Sequence, residues 1–246
     1  GSAIPRGGAG RRGREACYDS SEMHIPDGYL SPATCAASLA VAAPVMVHAT
    51  RRAREELDRG AAPRLALLAA FAFVVMMLNV PLPGGTSAHA TGAVVMAVAV
   101  GPWAAVLGMA LVLLVQAVLF GDGGILAYGA NVLVMAVALP LVGWRVYRWV
   151  AGRRPSPRRW TVAAAAGGWA GTVAAAVVAA VLLGIQPLVA HGADGAPLYC
   201  PYGLGVTVPA VVGSHLLVGV AEGALTAGVL AAIRRGVPEL LGEAGR

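Results

Sequence analysis

His89-Ala90-Thr91-Gly92-Ala93-Val94-Val95-Met96-Ala97-Val98-Ala99-Val100-Gly101 decides how this chain is threaded. The stretch is apolar on every side after its opening histidine. It is also too short to cross a hydrocarbon layer of roughly 30 Å, which takes about 20 helical residues. The apolar runs around it are longer: 31–50, 64–81, 103–120, 129–148, 161–185 and 209–233. They are rich in Ala, Val and Leu and lack two-residue alternation, so they read as membrane helices rather than barrel strands.

Whether 89–101 counts as a pass is settled by charge. If it counts, the arginine clusters Arg51–Arg64, Arg145–Arg159 and Arg234–Arg246 share one side. The turns 81–88, 120–128 and 186–208 then share the other side and contain no arginine. If it does not, Arg51–Arg64 and Arg145–Arg159 face opposite sides. The positive-inside rule therefore predicts an all-α, polytopic bundle of seven transmembrane helices, with the N-terminus outside and the C-terminus inside. A short third pass is workable if the Pro-Gly segment before it dips into the protein, where other chain covers its irregular backbone.

Composition agrees with this reading. Of 246 residues, 58% are hydrophobic and 12% charged, whereas soluble domains run near a quarter charged. Mean hydropathy is +0.72. Residues 1–22 are Gly- and Arg-rich without an apolar stretch, so they are not a secretory signal. Their arginines also oppose the charge rule for an external tail. They are expected to be a non-native or unprocessed disordered extension, followed by a membrane domain at 23–235 and a cytoplasmic tail at 236–246.

Several function classes drop out. All 18 basic residues are arginine, which removes the phosphate-gripping lysine of a Walker A loop and any Schiff-base lysine. Any ATP hydrolysis must come from a partner. The pI near 9.8 does not point to nucleic acid, because the arginines flank apolar runs without interleaved aromatics. Cys17, Cys35 and Cys200 form no CxxC pair, so neither a zinc site nor a disulfide framework is indicated. HExxH and GxSxG are absent, and the neighbours Ser214-His215 diverge on a helix and make a poor dyad. With 6% aromatics, an organic-solute cavity is a remote reading.

The unusual residues collect on the arginine-free side. They lie in Met23-His24-Ile25-Pro26-Asp27-Gly28-Tyr29-Leu30-Ser31-Pro32, in Asn79-Val80-Pro81-Leu82-Pro83-Gly84-Gly85-Thr86-Ser87-Ala88-His89, in Phe120-Gly121-Asp122-Gly123-Gly124 and in Gly129-Ala130-Asn131. If Met23 is a true first residue, three nitrogens can chelate one ion. They are its α-amine, the deprotonated amide nitrogen of His24 and the His24 imidazole Nδ1, in fused five- and six-membered rings. They occupy three corners of a square, and a His89 nitrogen can fill the fourth. Planar four-nitrogen coordination suits Ni(II) or Cu(II), whereas zinc prefers a tetrahedron. Spacing alone does not link His24 to His89. A solvated loop histidine and a helix-start polar residue remain open as plainer readings. His48 and His191 read as surface residues, Gln116 as polar glue between helices, and His215 with Glu222 as a polar lock on the last helix.

The first, second and third of these stretches strongly resemble the NikM/CbiM family, the nickel- or cobalt-binding membrane subunits of energy-coupling factor importers. The resemblance runs from Met23 to about residue 235. It implies that the mature protein opens at Met23, that there are seven helices, and that Ni2+ or Co2+ is held as transported substrate by Met23, His24 and His89. It implies as partners a coupling transmembrane subunit, ATP-binding cassette ATPases and a small accessory membrane subunit, all in a prokaryotic cytoplasmic membrane. The chain itself is then no enzyme. Asp27, Asn79, Thr86, Ser87 and Asn131 are expected to hydrogen-bond the ligands or loops. Planarity favours nickel, with cobalt for cobalamin synthesis as the alternative. Two departures stand out: residues 1–22 would cap the Met23 amine, and Val134 stands where the family often has Asn.

Overall fold

The structure, a computed structural model, describes residues 24–57, 61–78, 80–82 and 86–241. The expected extension 1–22, the expected ligand Met23 and the expected support Asn79 lie outside the described residues, and the side chains of Thr86 and Ser87 are likewise not described. In chain order the elements are α1 (Pro32–Glu56), α2 (Ala61–Met76), β1 (Val80–Leu82), β2 (Thr86–Ala88), α3 (Ala93–Val100), α4 (Pro102–Phe120), α5 (Tyr128–Ala151), α6 (Pro157–Gly184) and α7 (Leu204–Gly236). A further turn, Gln186–Val189, extends α6.

Among the described residues, five helices are long and apolar enough to cross a membrane: α1, α4, α5, α6 with its extra turn, and α7. Helix α2 is apolar but shorter, and α3 has eight residues. The chain is a multi-pass helical membrane protein. The chain is all-helical as expected, and one connection carries a short two-stranded ribbon. α2 stops at Met76 rather than reaching 81, and β1 pairs antiparallel with β2 in the register Val80↔Ala88, Pro81↔Ser87, Leu82↔Thr86. Pro81 has no N–H to continue a helix and pushes the preceding residue into extended backbone. Only three residues per strand are needed to turn the chain back towards His89.

Helix α3 is the centre of the bundle. All eight of its residues are buried, as a helix without a polar face requires. It packs on α2, α4, α5, α6 and α7. Small residues bring the outer helices close. A Cβ on Gly167 would sit 2.7 Å from the Gly143 carbonyl of α5, and one on Gly223 of α7 would sit 2.6 Å from the Ala165 carbonyl of α6. The Ala/Gly run of α6 therefore packs inside this chain, with backbones in near contact.

Water cannot satisfy the free N–H groups of a helix start inside such a bundle. Carboxylates from elsewhere in the chain do so at the starts of α3 and α4, and a third carboxylate holds an exposed turn before α5. Asp27 accepts from the amides of Ile125, Leu126 and Ala127, just before α5. Glu56, at the end of α1, accepts from Trp103 and Ala104 at the start of α4. Glu222 of α7 accepts from Thr91 and Gly92, just before α3.

The arginine clusters converge on one end. Arg64, at the start of α2, donates to the Glu239 carbonyl beyond α7 at 3.1 Å. The Arg234 guanidinium lies 5.2 Å from the ring centre of Trp160, at the start of α6. The glycine-rich motifs meet elsewhere. The Ser31 amide donates to the Gln186 side chain at 2.9 Å, the Cys200 amide to the Tyr29 carbonyl at 3.2 Å, and the Gly124 amide to the Ile25 carbonyl at 3.0 Å.

Candidate metal centre

His24 precedes α1 in a segment that folds down into the bundle. Its ring is 2% exposed, and that of His89 is 5% exposed. Two side-chain arrangements hold the His24 segment in place. Asn131 mimics a neighbouring strand for Ile25: its Oδ1 accepts the Ile25 amide at 2.8 Å and its Nδ2 donates to the Ile25 carbonyl at 3.0 Å. Asp27, two residues further on, holds the loop that follows α4. That loop needs glycine at Gly124, where any Cβ would collide with the Asp27 carboxylate.

His89 arrives from the other direction. β2 delivers it, and Thr91 and Gly92 immediately after it are held by Glu222. The carboxylate accepts from the Thr91 amide at 2.8 Å, the Thr91 hydroxyl at 2.9 Å and the Gly92 amide at 3.0 Å. Gly92 has φ +66°, a conformation that favours glycine. The polar lock expected of Glu222 is thus a cap on the helix that follows the histidine.

The two histidines meet. His24 Nδ1 and His89 Nε2 are 3.1 Å apart, with ring centroids at 4.9 Å. Two nitrogens each about 2 Å from one ion lie about 2.8 Å apart as neighbouring corners of a square and about 4 Å apart as opposite corners. The observed separation fits neighbouring corners, the relation required if His24 Nδ1 closes the N-terminal chelate and His89 completes it.

The other His24 nitrogen is also assigned. Nε2 lies 3.3 Å from Gln116 Oε1. A carbonyl oxygen can only accept, so Nε2 carries the proton and Nδ1 is left with a lone pair. That is the tautomer the chelate needs. Burial pushes the His24 pKa from 6.5 down to about 4, against a smaller opposing effect of Gln116, so the ring stays neutral. Gln116 opens a π-helical segment, Gln116–Phe120, and Asn131 borders another, Val132–Ala138. Such wide turns recur at functional sites because they rotate side chains out of regular register. Gln116 is the residue that sequence reasoning misassigned. Its one signal was a buried amide in an apolar helix, and its partner lies 92 positions away.

Among the described residues, no three His, Cys, Asp or Glu side chains converge tightly enough to hold an ion by themselves. Of the sequence-predicted residues, His24, His89, Asn131 and Asp27 are brought together or support one another. The Thr86 and Ser87 backbones lie in β2, and Met23 and Asn79 are outside the described residues. His215 of α7 is buried, and its Nδ1 lies 2.8 Å from the Val211 carbonyl of the preceding turn.

Residues 24–240 match the model of a family described as the cobalt uptake substrate-specific transmembrane region, CbiM. A fused nickel transport protein, NikMN, from Rhodobacter capsulatus is 50% identical over 221 residues, covering 89% of this chain and 64% of the relative. The chain thus spans a little under two thirds of that fused protein. A cobalt transport protein, CbiM, from Sorangium cellulosum is 32% identical, covering 89% of this chain and 94% of the relative. A crystal structure of a truncated transition metal transporter superposes with a TM-score of 0.79 at 45% identity, over 86% of this chain and 98% of the other.

Proposed function

The chain belongs to the CbiM/NikM family of metal-transport membrane proteins, and from that premise we propose that it is the substrate-capturing subunit of an energy-coupling factor importer for Ni2+ or Co2+. The observation that carries the reading is the 3.1 Å approach of His24 Nδ1 to His89 Nε2 in a buried pocket. The donor set is the Met23 amine, the His24 amide nitrogen, His24 Nδ1 and His89 Nε2. Gln116 sets the His24 tautomer, while Asn131, Asp27 and Glu222 hold the two strands of chain that carry the ligands. Asn79, Thr86 and Ser87 remain proposed supports of the Pro-Gly-Gly loop. Nickel is preferred because a four-nitrogen square suits its d8 ion. Cobalt is the alternative, in keeping with the cobalt transport protein among the relatives.

In this reading the seven helices are seven passes in a prokaryotic cytoplasmic membrane. The arginine end faces the cytoplasm and residue 24 the exterior. The short third pass then has a purpose. From His89, the three residues before α3 and the eight of α3 itself cover at most about 22 Å, less than the roughly 30 Å hydrocarbon layer. His89 is therefore sunk below the outer surface, where water is excluded and the nitrogens are not competed for. ATP hydrolysis falls to separate ATPases, which act through a coupling membrane subunit, and a small accessory membrane protein completes the importer.

The donor set needs a free amine at Met23, so the active form is one in which residues 1–22 are absent or removed. The test is metal analysis of protein beginning at Met23, beside the extended chain and the His24→Ala and His89→Ala variants. One Ni2+ or Co2+ per chain is expected in the first form, with loss in the other three. Equal metal in all four would refute the site. Equal metal in the two unsubstituted forms alone would refute only the role of the amine.

A further inference from the structure

Asp122 stands against the histidine pair, and the four-nitrogen set does not use it. Its Oδ1 is 3.6 Å from His24 Nδ1. Its side chain is 24% exposed, whereas that of His24 is 2% exposed, so it lies between the pocket and water. Its place is fixed by backbone. The Asp122 amide donates to the Gln116 carbonyl at 3.1 Å, and the flanking Gly121 and Gly123 have φ +67° and +84°. Asp27, the other carboxylate of this loop cluster, is occupied by the amides of residues 125–127.

Charge accounting gives Asp122 a task. A divalent ion bound by a neutral amine, two neutral imidazoles and one deprotonated amide keeps one net positive charge. An uncompensated buried charge is strongly disfavoured, and one adjacent carboxylate cancels it. If the ion is about 2 Å from His24 Nδ1 and the carboxylate lies above the square, a separation of 3.6 Å leaves the oxygen about 3 Å from the ion, beyond the 2.0–2.2 Å of a metal–carboxylate bond.

We propose that Asp122 is the counter-charge of the metal site and the group that first holds the incoming hydrated cation at its mouth. The proposal rests on the His24–His89 reading. The carboxylate attracts the ion while it still carries water, and the nitrogens then replace that water.

The test compares Asp122→Asn and Asp122→Glu with the unsubstituted protein, using nickel chloride as the probe in whichever of the extended and Met23-initiated forms takes up metal. Asp122→Asn should weaken Ni2+ binding roughly 10- to 100-fold. It should also slow association and flatten its dependence on ionic strength, while metal-free thermal unfolding stays unchanged. Asp122→Glu should restore much of both. Unaltered affinity and salt dependence in Asp122→Asn, with binding still abolished by His24→Ala, overturns this proposal and leaves the site reading intact. Lower affinity with unaltered salt dependence and no recovery in Asp122→Glu also overturns it. If the unsubstituted protein binds no nickel in either form, both fall together.

Discussion

Replacing Glu222 by Gln tests whether the bundle centre depends on a carboxylate cap. The carboxylate divides its work between its oxygens. Oε2 takes the Thr91 amide, and Oε1 takes the Thr91 hydroxyl and the Gly92 amide. A glutamine has one acceptor oxygen, so whichever way its amide turns, one backbone N–H faces an NH2 group. Leaving a buried N–H unpaired costs about 1–3 kcal/mol. A chain of this size shifts its melting temperature by about 2–4 °C per kcal/mol, so a loss of about 2 kcal/mol appears as roughly 4–8 °C. Glu56→Gln is the internal control. Both amides that Glu56 holds go to the single oxygen Oε2, at 2.9 and 2.8 Å, so one glutamine oxygen can keep both, and the expected loss is under about 1 kcal/mol. Thermal unfolding of both metal-free variants in one detergent decides the matter. A Glu222→Gln melting temperature within about 1 °C of the unsubstituted protein, or a larger loss in Glu56→Gln, would refute the cap argument.

Gln116→Leu should weaken Ni2+ binding roughly 3- to 10-fold, the worth of one neutral hydrogen bond. Metal-free stability then reflects relief of the unpaired Gln116 Nε2 set against the buried His24 N–H left without its acceptor, a net change under about 2 kcal/mol; titration calorimetry with a melting curve separates binding from stability. A second expectation concerns pH. Burial holds His24 neutral down to about pH 4, whereas the unfolded chain takes up the proton near 6.5. Below 6.5 the unfolded state binds more protons, so metal-free stability should fall as pH drops from about 6.5 to about 4 and lose nothing further from this group below that. Melting temperature against pH should show that slope, and His24→Gln should flatten it.

Much of the helix plan was legible, and for a reason specific to membranes. A lipid-facing helix must be long and apolar along one continuous run, so 103–120, 129–148 and 209–233 fall inside α4, α5 and α7, and 161–185 inside α6 with its extra turn. The ribbon at 80–88 was not legible, since three-residue strands have no hydrophobic period to detect. His24, His89, Asp27 and Asn131 could be picked out as residues. The work of Asn131, pairing both backbone groups of Ile25, could not, because it depends on a partner 106 positions away. Gln116 was read as glue because an amide in an apolar helix carries no sign of which group it faces.

The chain's own run of letters determined which segments leave water, since that choice is made locally from side-chain transfer free energies summed along a helix. It also set which residues carry nitrogen donors near the ends of the helices, His24 and His89 among them. Only the tertiary structure decided that α3 lies enclosed at the centre, that Glu222 caps it from α7, and that Gln116 leaves His24 Nδ1 bare towards His89. Those outcomes depend on distance and direction between groups 65 to 131 positions apart, and no local free energy encodes them.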